Sequence, residues 1–224
     1  MPARTATPDQ LRLPLQRDLP ATEAGFVVSD CNRAAEAMLA SWPNAVGGVL
    51  ALCGPAGSGK SHLARVWAER VGALPLDGLE AALADPLELE GRPVLLDRAQ
   101  ATDDESLFHL INLAHAPGGA LLLVSRSAPT AWKAALPDLR SRLDAVVTVP
   151  LETPDDTVMA AILAARFAER SIAAPRDAID YLVRRIDRSA EAAAAIVDRL
   201  DALHRPVTRA LARLVLEENG VLFD

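Results

Sequence analysis

Cysteine, aromatic residues and long apolar runs are all scarce in this chain. Its two cysteines, Cys31 and Cys53, are too few and too far apart for a metal cluster or a disulfide framework. Cys53 falls inside a short apolar run and reads as a small core residue. Aromatics make up 4% of the 224 residues, and with alanine so frequent the helices are expected to pack closely. No apolar run reaches the roughly 20 residues that cross a bilayer, and the N-terminus has no signal-peptide apolar region. The sequence thus predicts a soluble, cytoplasmic protein without a membrane partner. Basic residues are in deficit, 23 Lys and Arg against 30 Asp and Glu, for a formal charge of −7. That balance argues against strong direct DNA binding and leaves room only for a small local basic face. With 50% hydrophobic residues, the chain is globular rather than disordered.

What is present is concentrated over residues 49–66, VLALCGPAGSGKSHLARV. A strand-like apolar run, 49–53, breaks into Gly54, Pro55, Ala56, Gly57, Ser58, Gly59, Lys60 and Ser61, and an amphipathic helical stretch follows. This is G-x-x-x-x-G-K-S in the context that motif requires, with a strand before and a helix after. Glycines let the backbone curl with its N–H groups inward, forming an anion-binding nest. The helix N-terminus adds partial positive charge where phosphates would sit. Lys60 can reach the β- and γ-phosphates, and the Ser61 hydroxyl can ligate Mg²⁺. The expected ligand is a nucleoside di- or triphosphate.

Around this stretch the chain reads in order. Residues 1–9 are polar and Pro-containing, and disorder is expected. Gln10, Leu11, Arg12, Leu13, Pro14 and Leu15 follow. They are either a tether packed on their own domain or, as favoured here, a linear peptide docking in a partner's apolar pockets, with Gln10 hydrogen-bonding and Leu13 and Leu15 as anchors. Residues 19–25 read as a linker. Helices are expected over 32–42 and 59–71, a short strand over 73–76 and a short helix over 79–84. The run 94–97 is continuously apolar and ends in Asp97, as in a buried parallel strand. An Asp at the end of a strand beside the P-loop strand can hold the Mg²⁺ water shell; it can also be a strand-end cap. Acids at 103–105 open a helix to 115. A strand over 120–124 ends at Ser125, where a polar group could sense a γ-phosphate. Trp132 falls in a short helix. The stretch LPDLRSRL, 136–143, precedes a last strand over 146–149. Its Arg140 and Arg142 are either surface charges or one of them acts across a subunit boundary. From 151 on only helical periodicity remains, with helices over 154–170, 176–186, 189–203 and 207–218. The expected fold is α/β: a tail over 1–20, a P-loop parallel sheet flanked by helices over 21–150, and an all-helical lid over 151–224.

Several stretches resemble the DnaA-related AAA+ family. FVVSDCNRAA is similar to the opening of its AAA+ domain. DDESLFHLINLAH with ALLLVSRSAP resembles its helix-strand pair leading to sensor 1, LRSRL its arginine-finger box, and PVTRALARLVLEE its last lid helix. The resemblance covers residues 25–218. QLRLPL resembles the sliding-clamp-binding motif of bacterial replication proteins. A clamp-type tail on such a module, without the DNA-binding domain, is similar to the Hda-type regulators of DnaA. The resemblance implies that the P-loop residues 54–61 named above, with His62 after them, bind ADP or ATP. It also implies that Ser61 and Asp97 hold Mg²⁺, with Asp97 as the Walker B acid, that Ser125 is sensor 1 and that Arg142 is an arginine finger. Gln10, Leu11, Leu13, Pro14 and Leu15 would contact the β clamp, and DnaA would be the second partner, with self-association open. Two positions depart from the pattern. Arg98 replaces the second acid, so weak or no intrinsic ATPase is expected. Glu191 stands where the lid carries a sensor 2 arginine, with Arg188 one helical turn away as its substitute. The implied function is promotion of hydrolysis of DnaA-bound ATP by Arg142 in trans. Its rivals are a DnaA-related recruitment or loader factor and a self-sufficient AAA+ ATPase.

Overall fold

The structure, a computed structural model, describes residues 27–43 and 48–220. The clamp-type stretch 10–15 and the linker 19–25 lie outside the described residues. Five strands form one parallel sheet: β1 (Gly48–Cys53), β2 (Leu74–Asp77), β3 (Pro93–Asp97), β4 (Ala120–Ser125) and β5 (Val147–Pro150). Their spatial order is β2-β3-β4-β1-β5. The Asp97 strand therefore does not lie beside the P-loop strand, as its sequence suggests. β4 sits between them, pairing Leu50 with Leu122 on one side and Leu95 with Leu122 on the other. β3 and β4 are both continuous apolar runs, and nothing local distinguishes which one neighbours β1. The crossover helices decide that order.

All six residues of β4 are buried, as expected of the central strand of a sheet covered on both faces. Strand alternation sorts the side chains between two cores. Leu50, Leu52, Leu122 and Val124 face α1 (Arg33–Ser41) and α2 (Lys60–Val71), where they meet Leu39, Leu63 and Trp67. Ala51, Leu96, Leu121 and Leu123 face the other way. There they meet Leu107 and Ile111 of α4 (Asp104–Ala114) and Leu139 and Leu143 of α5 (Pro137–Ala145). LRSRL is thus on a helix, started by Pro137 at its first position, where the missing N–H costs nothing. Between β2 and β3 lie a 3₁₀ turn, Ala81–Leu83, and the single-turn helix α3 (Pro86–Leu89) in place of the helix expected over 79–84. Trp132 ends a 3₁₀ turn, Pro129–Ala131. A third core is built by α6 (Asp156–Glu169), α7 (Arg176–Val183), α8 (Ala190–Ala202) and α9 (Arg209–Gly220), around Met159, Leu163, Phe167, Leu182, Ile196 and Leu211.

Candidate nucleotide-binding site

The loop between β1 and α2 depends on glycine at two kinds of position. Gly57 and Gly59 have φ of +73° and +91°, the left-handed region that other residues enter at a cost. Gly54 and Gly57 also have no room for a side chain. A Cβ on Gly54 would sit 2.1 Å from the Leu151 carbonyl oxygen, and one on Gly57 would sit 2.3 Å from Ser189 Cβ. The loop is therefore sandwiched between the chain leaving β5 and the start of α8. Gly54 N–H donates to the Ser125 carbonyl at 3.3 Å, tying the loop to the end of β4.

Lys60 opens α2 and is only 8% exposed. Its Nζ donates to the Pro55 carbonyl at 2.5 Å and to Ser58 Oγ at 3.3 Å. Burial pushes its pKa below the ordinary lysine value, against the pull of Asp97, and Arg126 adds to the depression. A buried ammonium whose direct partners are a neutral carbonyl and a neutral hydroxyl suits an anionic ligand, because such a ligand restores the stabilisation lost with water. Ser61 Oγ donates to Asp97 Oδ2 at 3.1 Å, across the width of β4, so the expected metal pair does meet. Asp97 Oδ1 accepts from Arg98 N at 2.8 Å. Among the described residues no three His, Cys, Asp or Glu side chains gather as a metal cage. Mg²⁺ here would need phosphate oxygens to complete its shell. His62 is half-buried; desolvation, then Arg65 and Arg166, lower its pKa.

Other expected site residues are engaged differently. Ser125 is buried, and its hydroxyl donates to the Ser127 carbonyl at 2.7 Å. Arg98 has φ of +51°, and its guanidinium pairs with Asp77, Nε to Oδ2 at 2.8 Å. Asp77 is the register partner of Asp97, and the sequence reading missed it. An acid closing a second strand was the available signal. In the lid, Ser189 caps α8, accepting from Ala192 N at 3.0 Å. Ser189 and Glu191 lie nearest Gly57, with Glu191 Oε2 3.1 Å from the position a Cβ would take there. The Arg188 guanidinium is bound by Asp156 Oδ1 at 2.5 Å and the Pro154 carbonyl at 3.1 Å. The two arginines of α5 also differ. Arg140 holds the carbonyls of Trp132 and Pro129 and pairs with Asp144 at 2.6 Å. Arg142 stacks 4.7 Å from the Phe108 ring centroid and has no carboxylate partner among the described residues. Also among the described residues, no helix is long and apolar enough to cross a membrane.

No protein-family profile matches the chain. It is similar to the chromosomal replication initiator DnaA of Thermomicrobium roseum, 28% identical over 118 residues, which is 51% of this chain and 25% of that protein. DnaA of Roseiflexus castenholzii is 29% identical over the same shares of each chain. The match thus spans about a quarter of the length of these relatives. Among solved structures, domain III of Thermotoga maritima DnaA superposes with a TM-score of 0.74 at 19% identity, covering 88% of this chain and 96% of that one. DnaA bound to AMPPCP and single-stranded DNA gives 0.66 at 19% identity, covering 81% and 64%. A Thermotoga maritima RuvB variant gives 0.64 at 15% identity, covering 88% and 72%. At these identities the likeness is one of architecture: the chain has the AAA+ fold of DnaA domain III.

Proposed function

We propose that the chain is an adenine-nucleotide-binding regulator of replication initiation that joins the sliding clamp to ATP-loaded DnaA and promotes hydrolysis of the DnaA-bound ATP. The observation that carries this is Arg142, a permanently charged guanidinium without a carboxylate partner among the described residues, on the sheet face opposite the P-loop helix. In this proposal residues 54–62 hold ADP or ATP, Ser61 and Asp97 hold Mg²⁺, and Gln10, Leu11, Leu13, Pro14 and Leu15 bind the clamp. Arg98 is taken up by Asp77, which leaves no second carboxylate after Asp97 to orient water, so the chain's own hydrolysis is slow. The DnaA relatives support a role in initiation, and the AMPPCP-bound DnaA structure supports an adenine nucleotide as ligand.

Glu191 sets which nucleotide is preferred. Its carboxylate beside Gly57 repels added negative charge, so the diphosphate is favoured over the triphosphate. Glu191→Arg should move the ATP-to-ADP affinity ratio toward ATP by about tenfold, which is 1.4 kcal/mol. Calorimetry showing an unchanged ratio would remove Glu191 from the site.

The test of the whole reading is conversion of DnaA-bound ATP to ADP with DNA-loaded clamp present. The wild-type chain should accelerate it. Replacing Gln10, Leu13 and Leu15 together with alanine should abolish clamp binding and the acceleration while nucleotide binding stays. Apolar anchors of this kind contribute about 1 kcal/mol or more each. Acceleration indifferent to the clamp would favour a recruitment factor. Fast ATP turnover by the chain alone, on the order of 1 s⁻¹, would favour a self-sufficient ATPase.

A further inference from the structure

The connection between β2 and β3 carries three of the most solvent-exposed leucines of the described chain. Leu79, Leu83 and Leu87 are 65%, 85% and 80% exposed. They do not project from a loose loop. Ala81 and Leu89 in the same connection are buried in the core beneath α4. Asp77 Oδ1 accepts from Leu79 N at 2.9 Å, and Asp85 caps α3 by accepting from Leu87 N at 2.9 Å. The leucines are thus presented by a fixed backbone, so ordering it on binding costs little.

The charge along this connection is mainly negative, with Arg92 at its end and Arg98 paired to Asp77. Residues 74–91 contain Asp77, Glu80, Asp85, Glu88 and Glu90 and neither lysine nor arginine. Asp77 is neutralised by Arg98, and the others are exposed. Exposed leucines interspersed with acids disfavour nucleic acid, whose phosphates the acids repel. It also disfavours a second copy of this chain, because a two-fold contact would set the same acids against each other. β2 is the edge strand, but Pro75 in it lacks an N–H, which disfavours pairing with an added strand. The occupant these leucines and acids complement is a helix with leucine-like residues on one face and Lys or Arg flanking them.

We propose that this connection is a docking surface for a basic amphipathic helix of a protein partner. The probe is a labelled synthetic helix of lysine and leucine, with a glutamate-leucine twin as control, titrated into the full chain by fluorescence anisotropy. The lysine helix should bind, more weakly as salt rises, and the glutamate twin should not. Leu79→Ser with Leu83→Ser and Leu87→Ser should weaken binding about tenfold or more. Glu80→Lys with Glu88→Lys and Glu90→Lys should do the same. Both variants should keep ADP affinity and melting temperature, since none of the six side chains is in the core. Equal binding by the serine variant, or by the glutamate twin, would overturn the proposal. So would a wild-type dimer that the serine variant dissociates, single-stranded DNA binding lost in that variant, or about tenfold tighter peptide binding on removal of residues 1–26. Those three outcomes would assign the surface to a second copy, to nucleic acid and to the chain's own N-terminal segment.

Discussion

Lys60→Ala should reduce affinity for ADP and ATP by two to three orders of magnitude or more. The ammonium is nearly buried beneath the loop, its pKa is depressed by desolvation, and among the described residues it donates only to the Pro55 carbonyl and Ser58 Oγ. A phosphate bound in the nest would take those donors over. Removing the cation leaves the phosphate charge desolvated without its partner, a loss of about 3–5 kcal/mol for a buried pair broken on one side. The unliganded fold should change little, because the two hydrogen bonds to neutral groups, about 1 kcal/mol each, are offset by relief of the ammonium's burial cost. The two effects separate in one instrument. Thermal melting without nucleotide should nearly coincide for the two proteins. Saturating ADP should then stabilise only the wild type, by about 2.7 kcal/mol at a hundredfold excess over Kd. Equal ADP stabilisation of Lys60→Ala would show that the loop is a glycine-rich turn and not a phosphate cradle.

The site is legible in the sequence where it is local. Eight consecutive residues, Gly54 to Ser61, carry the loop, its left-handed glycines and its lysine, so one window reads them. What depends on sheet order or on distant partners is not local. Asp97 and Ser61 meet over a separation of 36 residues, and they do so across β4 rather than between neighbouring strands. Arg98 is visible as a departure from an expected acid, but its pairing with Asp77 follows from the β2–β3 register. The Ser125 hydroxyl turns to the Ser127 carbonyl, a rotamer choice that no periodicity encodes. Leu79, Leu83 and Leu87 have the i, i+4 spacing of a buried helical stripe. The Asp85-Pro86 break makes a 3₁₀ turn and a single helical turn instead, so Ala81 and Leu89 take the core and the leucines face water.

On the proposed trans-finger role, Arg142→Ala should abolish stimulation of hydrolysis of DnaA-bound ATP while ADP binding, clamp binding and melting temperature stay nearly unchanged. Leu139 and Leu143, fully buried, fix α5 against the sheet face that does not carry α2. Arg142 lies between their turns, half-exposed, over Phe108. An exposed stack of this kind contributes about 0.5–1 kcal/mol, so its loss should barely affect the fold. The ring holds the guanidinium without neutralising it, which leaves the charge available to a neighbouring molecule. When water attacks the γ-phosphorus of ATP and ADP leaves, charge spreads over the equatorial oxygens of the transferred group. A planar fork of donors supplied in trans can lower that barrier by a factor of about 10³–10⁵. Arg142→Lys should therefore fail to rescue, because a point charge cannot reproduce the fork. Arg140→Ala separates the two arginines in the opposite sense. Its carbonyl bonds to Trp132 and Pro129 hold the chain before α5, so its loss should cost about 1–3 kcal/mol of stability and only part of the stimulation. Full stimulation by Arg142→Ala would reject the trans finger even with clamp and nucleotide binding intact, and would leave Arg142 as a surface charge resting on an aromatic ring.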